Sequence, residues 1–219
     1  MKQHEIRIFG PPGTGKTTTL GRLIVDACKE YGSESILVAS FTRTAARTVV
    51  DRNLPINAHQ IGTLHALCYR ALDRPKLVSS DSQRERKEAF PMYRFSGVQQ
   101  AQDLDDPYRD IDKSQEGYGD ALLQDYHRLR GLRIDPDQWP VRVQSFAVDW
   151  EDFIEQRMEM DFTDLIDLCL REHVPIPHRA AAFFLDEVQD FSALELALAR
   201  QWGADCERLY FFGDDLQCL

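Results

Sequence analysis

Phe9-Gly10-Pro11-Pro12-Gly13-Thr14-Gly15-Lys16-Thr17-Thr18 is the stretch on which the fold turns. It fits G-x-x-x-x-G-K-[ST], and it has the flanks that pattern requires: an apolar strand from Ile6 to Phe9 before it and a helix-like run from Thr17 to Tyr31 after it. Gly10, Gly13 and Gly15 allow a turn whose N–H groups point inward, where they and the helix N-terminus can hold an anion. The pattern gives the phosphates of a nucleotide to the loop residues Gly10, Pro11, Pro12, Gly13, Thr14, Gly15, Lys16, Thr17 and Thr18. Lys16 reaches the β- and γ-phosphates, and the Thr17 hydroxyl serves magnesium. A Gly-Pro turn that merely precedes a helix would explain the glycines, but not a match at every fixed position. The motif implies a nucleoside triphosphate and leaves open what it is used for.

Working outward, Ser35-Ile36-Leu37-Val38-Ala39-Ser40 reads as a strand buried on both faces, as in a parallel sheet covered by helices on each side. Strand, helix and strand in that order imply a right-handed crossover and an α/β, doubly wound parallel sheet of the P-loop type. Thr42 or Thr44 can cap a helix running to about Asn53, which Pro55 ends. A short strand near Gln60 to Thr63 and a helix over Leu64 to Leu72 follow. From Asp73 to about Gln156 the composition changes. Residues 101–125 carry eight acidic residues against two basic and include Gly117 and Gly119, which implies that part of the stretch is loop. Asp120 to Arg130 and Val141 to Met158 read as amphipathic helices separated by Pro136 and Pro140, so this middle is a helical insertion. The sheet resumes at Ala181 to Leu185, which runs into Asp186-Glu187-Val188-Gln189-Asp190. A helix over Ala193 to Trp202 and a last strand, Leu209 to Phe212, lead to Gly213-Asp214-Asp215-Leu216-Gln217. The implied division is a first ATPase part over 1–75, an inserted helical subdomain over 76–178 and a second ATPase part over 179–219.

Hydrophobic content of 43% and charged content of 28% are those of an ordinary globular protein of 219 residues. No apolar run approaches a membrane span and the N-terminus enters a strand directly, so the expectation is a cytoplasmic protein with no membrane partner. Five scattered cysteines, at 28, 68, 169, 206 and 218, without a C-x-x-C pair, indicate neither a disulfide framework nor a zinc site. The net charge of −10 hides an asymmetry: residues 1–72 hold nine Lys/Arg against five Asp/Glu, and the remainder seventeen against thirty-one. A polyanion site is therefore sought in the first third, although charge alone also fits a solvated surface.

Ligands of open α/β sheets gather beyond the C-terminal ends of the strands, which is where Asp186 and Glu187 fall. Asp186 is placed to hold magnesium, through water, and Glu187 to accept a proton from an attacking water. Gln217 can hydrogen-bond the γ-phosphate or that water, or be an ordinary surface glutamine. Phe41 follows a buried strand at the same edge, and its ring either stacks on a base or packs in the core. His65 either contacts a phosphate or base or is structural. Whether Arg128, Arg130 and Arg133, clustered on one helix and its end, touch nucleic acid or only water stays open at this level.

The order of these motifs resembles the N-terminal part of superfamily 1 DNA helicases of the UvrD/Rep/PcrA type. The phosphate loop stands at motif I, Ser40 to Arg47 at motif Ia, Asp186 to Asp190 at motif II and Gly213 to Gln217 at the start of motif III. Gly62 to Leu67 and Asp161-Phe162-Thr163-Asp164-Leu165 are similar to two further stretches of that family. The likeness covers about residues 6–72 and 160–219, and the helical middle corresponds only in position. It implies a RecA-like ATPase domain with ATP and magnesium as cofactors, moving 3′ to 5′ along single-stranded DNA. It further implies a DNA path lined by Phe41, Thr42, Arg43, Thr63 and His65, with Lys16, Thr17, Asp186, Glu187 and Gln217 serving ATP and metal. A second RecA-like domain, as a continuation or a separate chain, is an implied partner. Since the sequence ends inside the motif III stretch, this chain alone is expected to bind ATP weakly and to hydrolyse it slowly at best. Two other readings remain: a small P-loop kinase or general ATPase, and a nucleotide- or DNA-binding module without turnover.

Overall fold

The computed structural model describes residues 4–11, 13–41, 54–95 and 117–214. Pro12, Thr42, Arg43 and Gln217, the expected helix up to Asn53 and most of the acidic stretch 101–125 lie outside the described residues. Five strands, β1 (His4–Phe9), β2 (Ile36–Ser40), β3 (Ile61–Thr63), β4 (Ala182–Asp186) and β5 (Arg208–Gly213), form one sheet in the order β1-β5-β4-β2-β3. Every pairing in it is parallel. Seven α-helices occur among the described residues: α1 (Lys16–Tyr31), α2 (Leu64–Ala71), α3 (Ser80–Ala89), α4 (Tyr118–Gly131), α5 (Val141–Gln156), α6 (Phe162–Arg171) and α7 (Ala193–Ala204). This is the α/β, all-parallel architecture of a RecA-like P-loop NTPase fold.

The continuous apolar runs in β2, β4 and β5 are explained by what lies on the two faces of the sheet. Side chains alternate along a strand. Ile36, Val38, Ala182, Phe184, Tyr210 and Phe212 therefore face α1, where they meet Leu20, Ile24 and Ala27. Leu37, Ala39, Phe183, Leu185, Leu209 and Phe211 point the other way, into a core shared with α2, α6 and α7. Burying each of these phenylalanines stabilises the fold by roughly 1.5–3 kcal/mol. The approach of α7 is tight, since a Cβ at Gly203 would lie 2.5 Å from Leu209 Cδ2.

The helical insertion has its own core, built on Phe95, Leu122, Tyr126, Trp139, Phe146 and Trp150. Its two connections to the sheet meet in a parallel bridge between Leu77 and Met160, where Val78 N–H donates to Met160 O at 3.0 Å and Met160 N–H to Lys76 O at 2.9 Å. Residues 162–176, assigned to the insertion on sequence, give their apolar side chains to the core of the sheet instead. Arg130 then joins the two parts: from α4 it donates to Asp164 at 2.8 Å and lies 3.6 Å from Asp161 and 3.7 Å from Asp167. With its side chain 14% exposed, Arg130 is committed to this cluster, while Arg128 pairs with Asp125 at 3.3 Å on the surface.

Candidate nucleotide site

The strand register carries the phosphate loop and the acidic cluster to one end of the sheet. Phe9 lies opposite Gly213, and Gly10 N–H donates to Gly213 O at 3.2 Å, so the loop begins level with the tip of β5. Leu185 lies opposite Phe211, and one residue further along the same register Asp186 comes level with Phe212 and Ile8. Lys16 begins the helix that follows the loop, and Asp186 ends β4, two places from β1 in the sheet, with the strands about 10 Å apart at ordinary spacing. The loop and the carboxylate thus leave the same end of the sheet from strands separated by one neighbour.

The loop itself is built to receive an anion. Gly13 and Gly15 hold φ of 81° and 82°, the left-handed region that glycine adopts without steric cost, and Gly15 is the N-cap of α1. Among the described residues no atom outside the chain neighbours lies within 4 Å of where a Cβ would sit on either residue. The first turn of α1 contains no carboxylate of its own, and the positive end of a helix favours an anion. Thr14 Oγ1 donates to Pro11 O at 2.7 Å and braces the turn, while the Lys16 ammonium folds back to donate to Gly10 O.

On the acidic side, Asp186 is 6% exposed and its Oδ1 accepts from Glu187 N–H at 3.1 Å. Ser40 lies beside Asp186 in register and, by the alternation of the two strands, on the same face. Its hydroxyl is buried and has no hydrogen-bond partner among the described residues. Such an orphan next to a carboxylate is what the edge of a hydrated magnesium site would leave. The hard oxygen donors of Thr17 and Asp186 suit the same ion. Glu187 takes φ 56° and ψ 43°, a left-handed conformation uncommon for a residue with a side chain. The turn directs its carboxylate to Gln189, whose Nε2 donates to Glu187 Oε2 at 2.8 Å and to Asp190 Oδ2 at 3.3 Å. Gln189 Oε1 accepts from Asp214 N–H at 2.9 Å. Burial and then the Glu187 charge raise the Asp190 carboxyl above its usual range.

A family model described as an AAA domain matches residues 1–219. The chain belongs to that family. No curated protein matches the chain. For this AAA domain the family supports a P-loop ATP-binding module of helicase-like, UvrD/Rep-related type. Among the described residues no helix is long and apolar enough to cross a membrane.

The residues that resemblance places on a DNA path are distributed unevenly in this AAA domain. Phe41 is half-buried just past the end of β2, its ring 6.1 Å from that of Phe191. Thr63 is 1% exposed and caps α2, its Oγ1 accepting from Ala66 N–H at 3.2 Å. His65 is 3% exposed, edge-on to Phe162 at 5.8 Å and 3.7 Å from Glu195. Of these three, only Phe41 lies at the strand ends with part of its ring accessible. Asp161 and Asp164, from the stretch similar to a further helicase motif, cap α6 reciprocally: Asp164 N–H donates to Asp161 and Asp161 N–H to Asp164, both at 2.8 Å.

The burial of His65 predicts a pH dependence of stability. Burial pushes its imidazole down to about 4, with the charge of Asp161 opposing. Below about pH 6.5 the unfolded chain takes a proton that the folded chain refuses until about pH 4, so this contribution is complete above 6.5 and is lost as the pH falls. From pH 7 to pH 5 the loss is roughly 2 kcal/mol. Asp164, raised to about 6 chiefly by burial, acts in the opposite direction over part of that window. The comparison that isolates the histidine is therefore His65→Gln: its urea midpoint should fall less between pH 7 and 5 than that of the wild type. Equal falls would show that His65 does not titrate this way.

Proposed function

We propose that this AAA domain is the ATP-binding motor half of a DNA helicase or translocase, hydrolysing ATP in response to single-stranded DNA. The observation that supports this best is the common placement of phosphate loop, Asp186 and Glu187 at one sheet end, with Phe41 at the end of the next strand. The loop N–H groups, Lys16 and the N-terminus of α1 bind the phosphates, and Thr17 and Asp186 hold the metal, Asp186 through water. Bound there, magnesium would neutralise charge on the phosphate oxygens. Glu187 orients a water and takes its proton as the water oxygen bonds to the γ-phosphorus. The bond to the β–γ bridging oxygen breaks and leaves with its electron pair on ADP. Gln217 is assigned to the γ-phosphate or the water. A second RecA-like domain is the proposed partner that completes the site and the DNA path, and 3′ to 5′ movement is the proposed direction.

The DNA surface is proposed to include Phe41, with Thr42 and Arg43 following it in sequence. Thr63 and His65 would shape this surface from beneath, through the cap of α2 and the packing on Phe162. Measuring ATP hydrolysis with and without single-stranded DNA tests the reading: slow hydrolysis is expected of this chain alone and DNA stimulation once a second RecA-like domain is supplied, and brisk DNA-stimulated turnover by the isolated chain would remove the need for that partner. Phe41→Ala should weaken single-stranded DNA binding by roughly 1–3 kcal/mol, the worth of one base–aromatic stack, while nucleotide affinity stays unchanged. Turnover that ignores DNA and passes the γ-phosphoryl group to an acceptor other than water would favour a kinase. ATP binding without hydrolysis in any condition would favour a binding module.

A further inference from the structure

We propose that Gln189 is a positioning residue that aims the Glu187 carboxylate and ties it to the tip of β5. The inference rests on the hydrolytic reading of the site. The carboxamide is used at both ends, and its orientation is fixed by its partners. A backbone N–H can only donate and ionised carboxylates can only accept, so Oε1 must face Asp214 and Nε2 must face Glu187 and Asp190. One side chain thus spans from the left-handed turn at Glu187 to the strand that separates β4 from the phosphate-loop strand.

Gly213 is the second half of this device. A Cβ there would lie 2.9 Å from each of Gln189 Oε1, Phe9 Cε1 and Val188 Cγ2, so only glycine lets the amide approach the end of β5. The Gly213 carbonyl meanwhile accepts from Gly10 N–H, so this residue touches the phosphate loop on one side and the acidic turn on the other. Gln189 itself reaches Glu187, Asp190 and the Asp214 N–H but none of the loop groups assigned to the phosphates, so its loss releases Glu187 while the loop stays in place. Turnover is then sensitive to Gln189 while nucleotide affinity is not.

The test uses the whole chain and separates binding from chemistry. Nucleotide affinity, the single-turnover rate of MgATP hydrolysis and hydrogen-exchange protection of the Asp214 amide are measured for wild type, Gln189→Ala and Gln189→Glu. Gln189→Glu keeps an oxygen that accepts from Asp214 N–H but replaces the donor with an oxygen facing two carboxylates. It should keep nucleotide affinity and Asp214 protection and lose rate on the order of a hundredfold, the cost of a group displaced by about an ångström. Gln189→Ala should lose both the rate and the Asp214 protection, again with affinity unchanged. If Gln189→Glu hydrolyses as fast as the wild type, Gln189 is only a staple between the turn and β5 and the inference falls. If either variant loses nucleotide affinity together with rate, the residue supports the whole site and the inference falls equally. A wild type that binds MgATP and never hydrolyses it overturns the hydrolytic reading itself, a result distinct from an active wild type with an active variant.

Discussion

Glu187→Gln is expected to leave nucleotide binding intact and to lower ATP turnover by a factor of about 10²–10⁴, the range for loss of a positioned general base. The substitution preserves size and the ability to accept from Gln189, so the turn after β4 has no steric reason to rearrange. It removes the negative charge and the site that takes the proton. Because Glu187 lies outside the phosphate loop and Asp186 keeps its hydrogen bond from the Glu187 N–H, the groups assigned to phosphate and metal are untouched. The measurement is a single-turnover rate together with a nucleotide dissociation constant, with and without single-stranded DNA. A variant that still turns over at the wild-type rate would remove Glu187 from the chemistry and move the proton acceptor elsewhere at this sheet end.

The strands were legible because a parallel sheet buried on both faces needs uninterrupted apolar residues, and Ile36 to Ala39, Ala182 to Leu185 and Leu209 to Phe212 supply them. The phosphate loop was legible because its glycines and lysine occupy fixed spacings. Helix α3 was not, since Ser-Asp-Ser-Gln-Arg-Glu-Arg-Lys-Glu-Ala has no apolar stripe. It is held instead by Ser79 capping Ser82 N–H and by Arg86, whose guanidinium lies over the Phe95 ring at 3.9 Å. A cation used as a core residue leaves no hydrophobic period to read. The return from insertion to sheet was blurred for a similar reason, because α6 is amphipathic like the insertion helices and only its partners show which core it serves. In the site, Asp186 and Glu187 were visible as carboxylates at a strand end. Gln189 was not, because its role depends on the left-handed turn at Glu187 and on the close approach of Gly213. Thr63 and His65 show the converse: a motif gives their order in the chain, while burial decides what their side chains can touch.

Lys16→Ala should weaken ATP binding by roughly 1.5–3 kcal/mol, the worth of a hydrogen bond to a charged group, which is about ten- to a hundredfold in affinity. Turnover should fall further, by at least a comparable factor, because charge on the transferred phosphoryl group is stabilised by the same ammonium. The protein should remain folded, since the turn is set by Gly13, Gly15 and the Thr14–Pro11 hydrogen bond, none of which involves the lysine side chain. In the structure the ammonium donates to Gly10 O, an acceptor within the loop that a phosphate oxygen can replace. Binding therefore exchanges a neutral carbonyl partner for an anionic one, and the gain is the difference between the two contacts. Thermal stabilisation by ATP reads this directly, because a ligand stabilises only in proportion to the logarithm of its concentration over its dissociation constant. The wild type should gain melting temperature with MgATP and Lys16→Ala should gain much less at the same concentration, from the same starting value. If the two are stabilised equally, the phosphates do not occupy the loop.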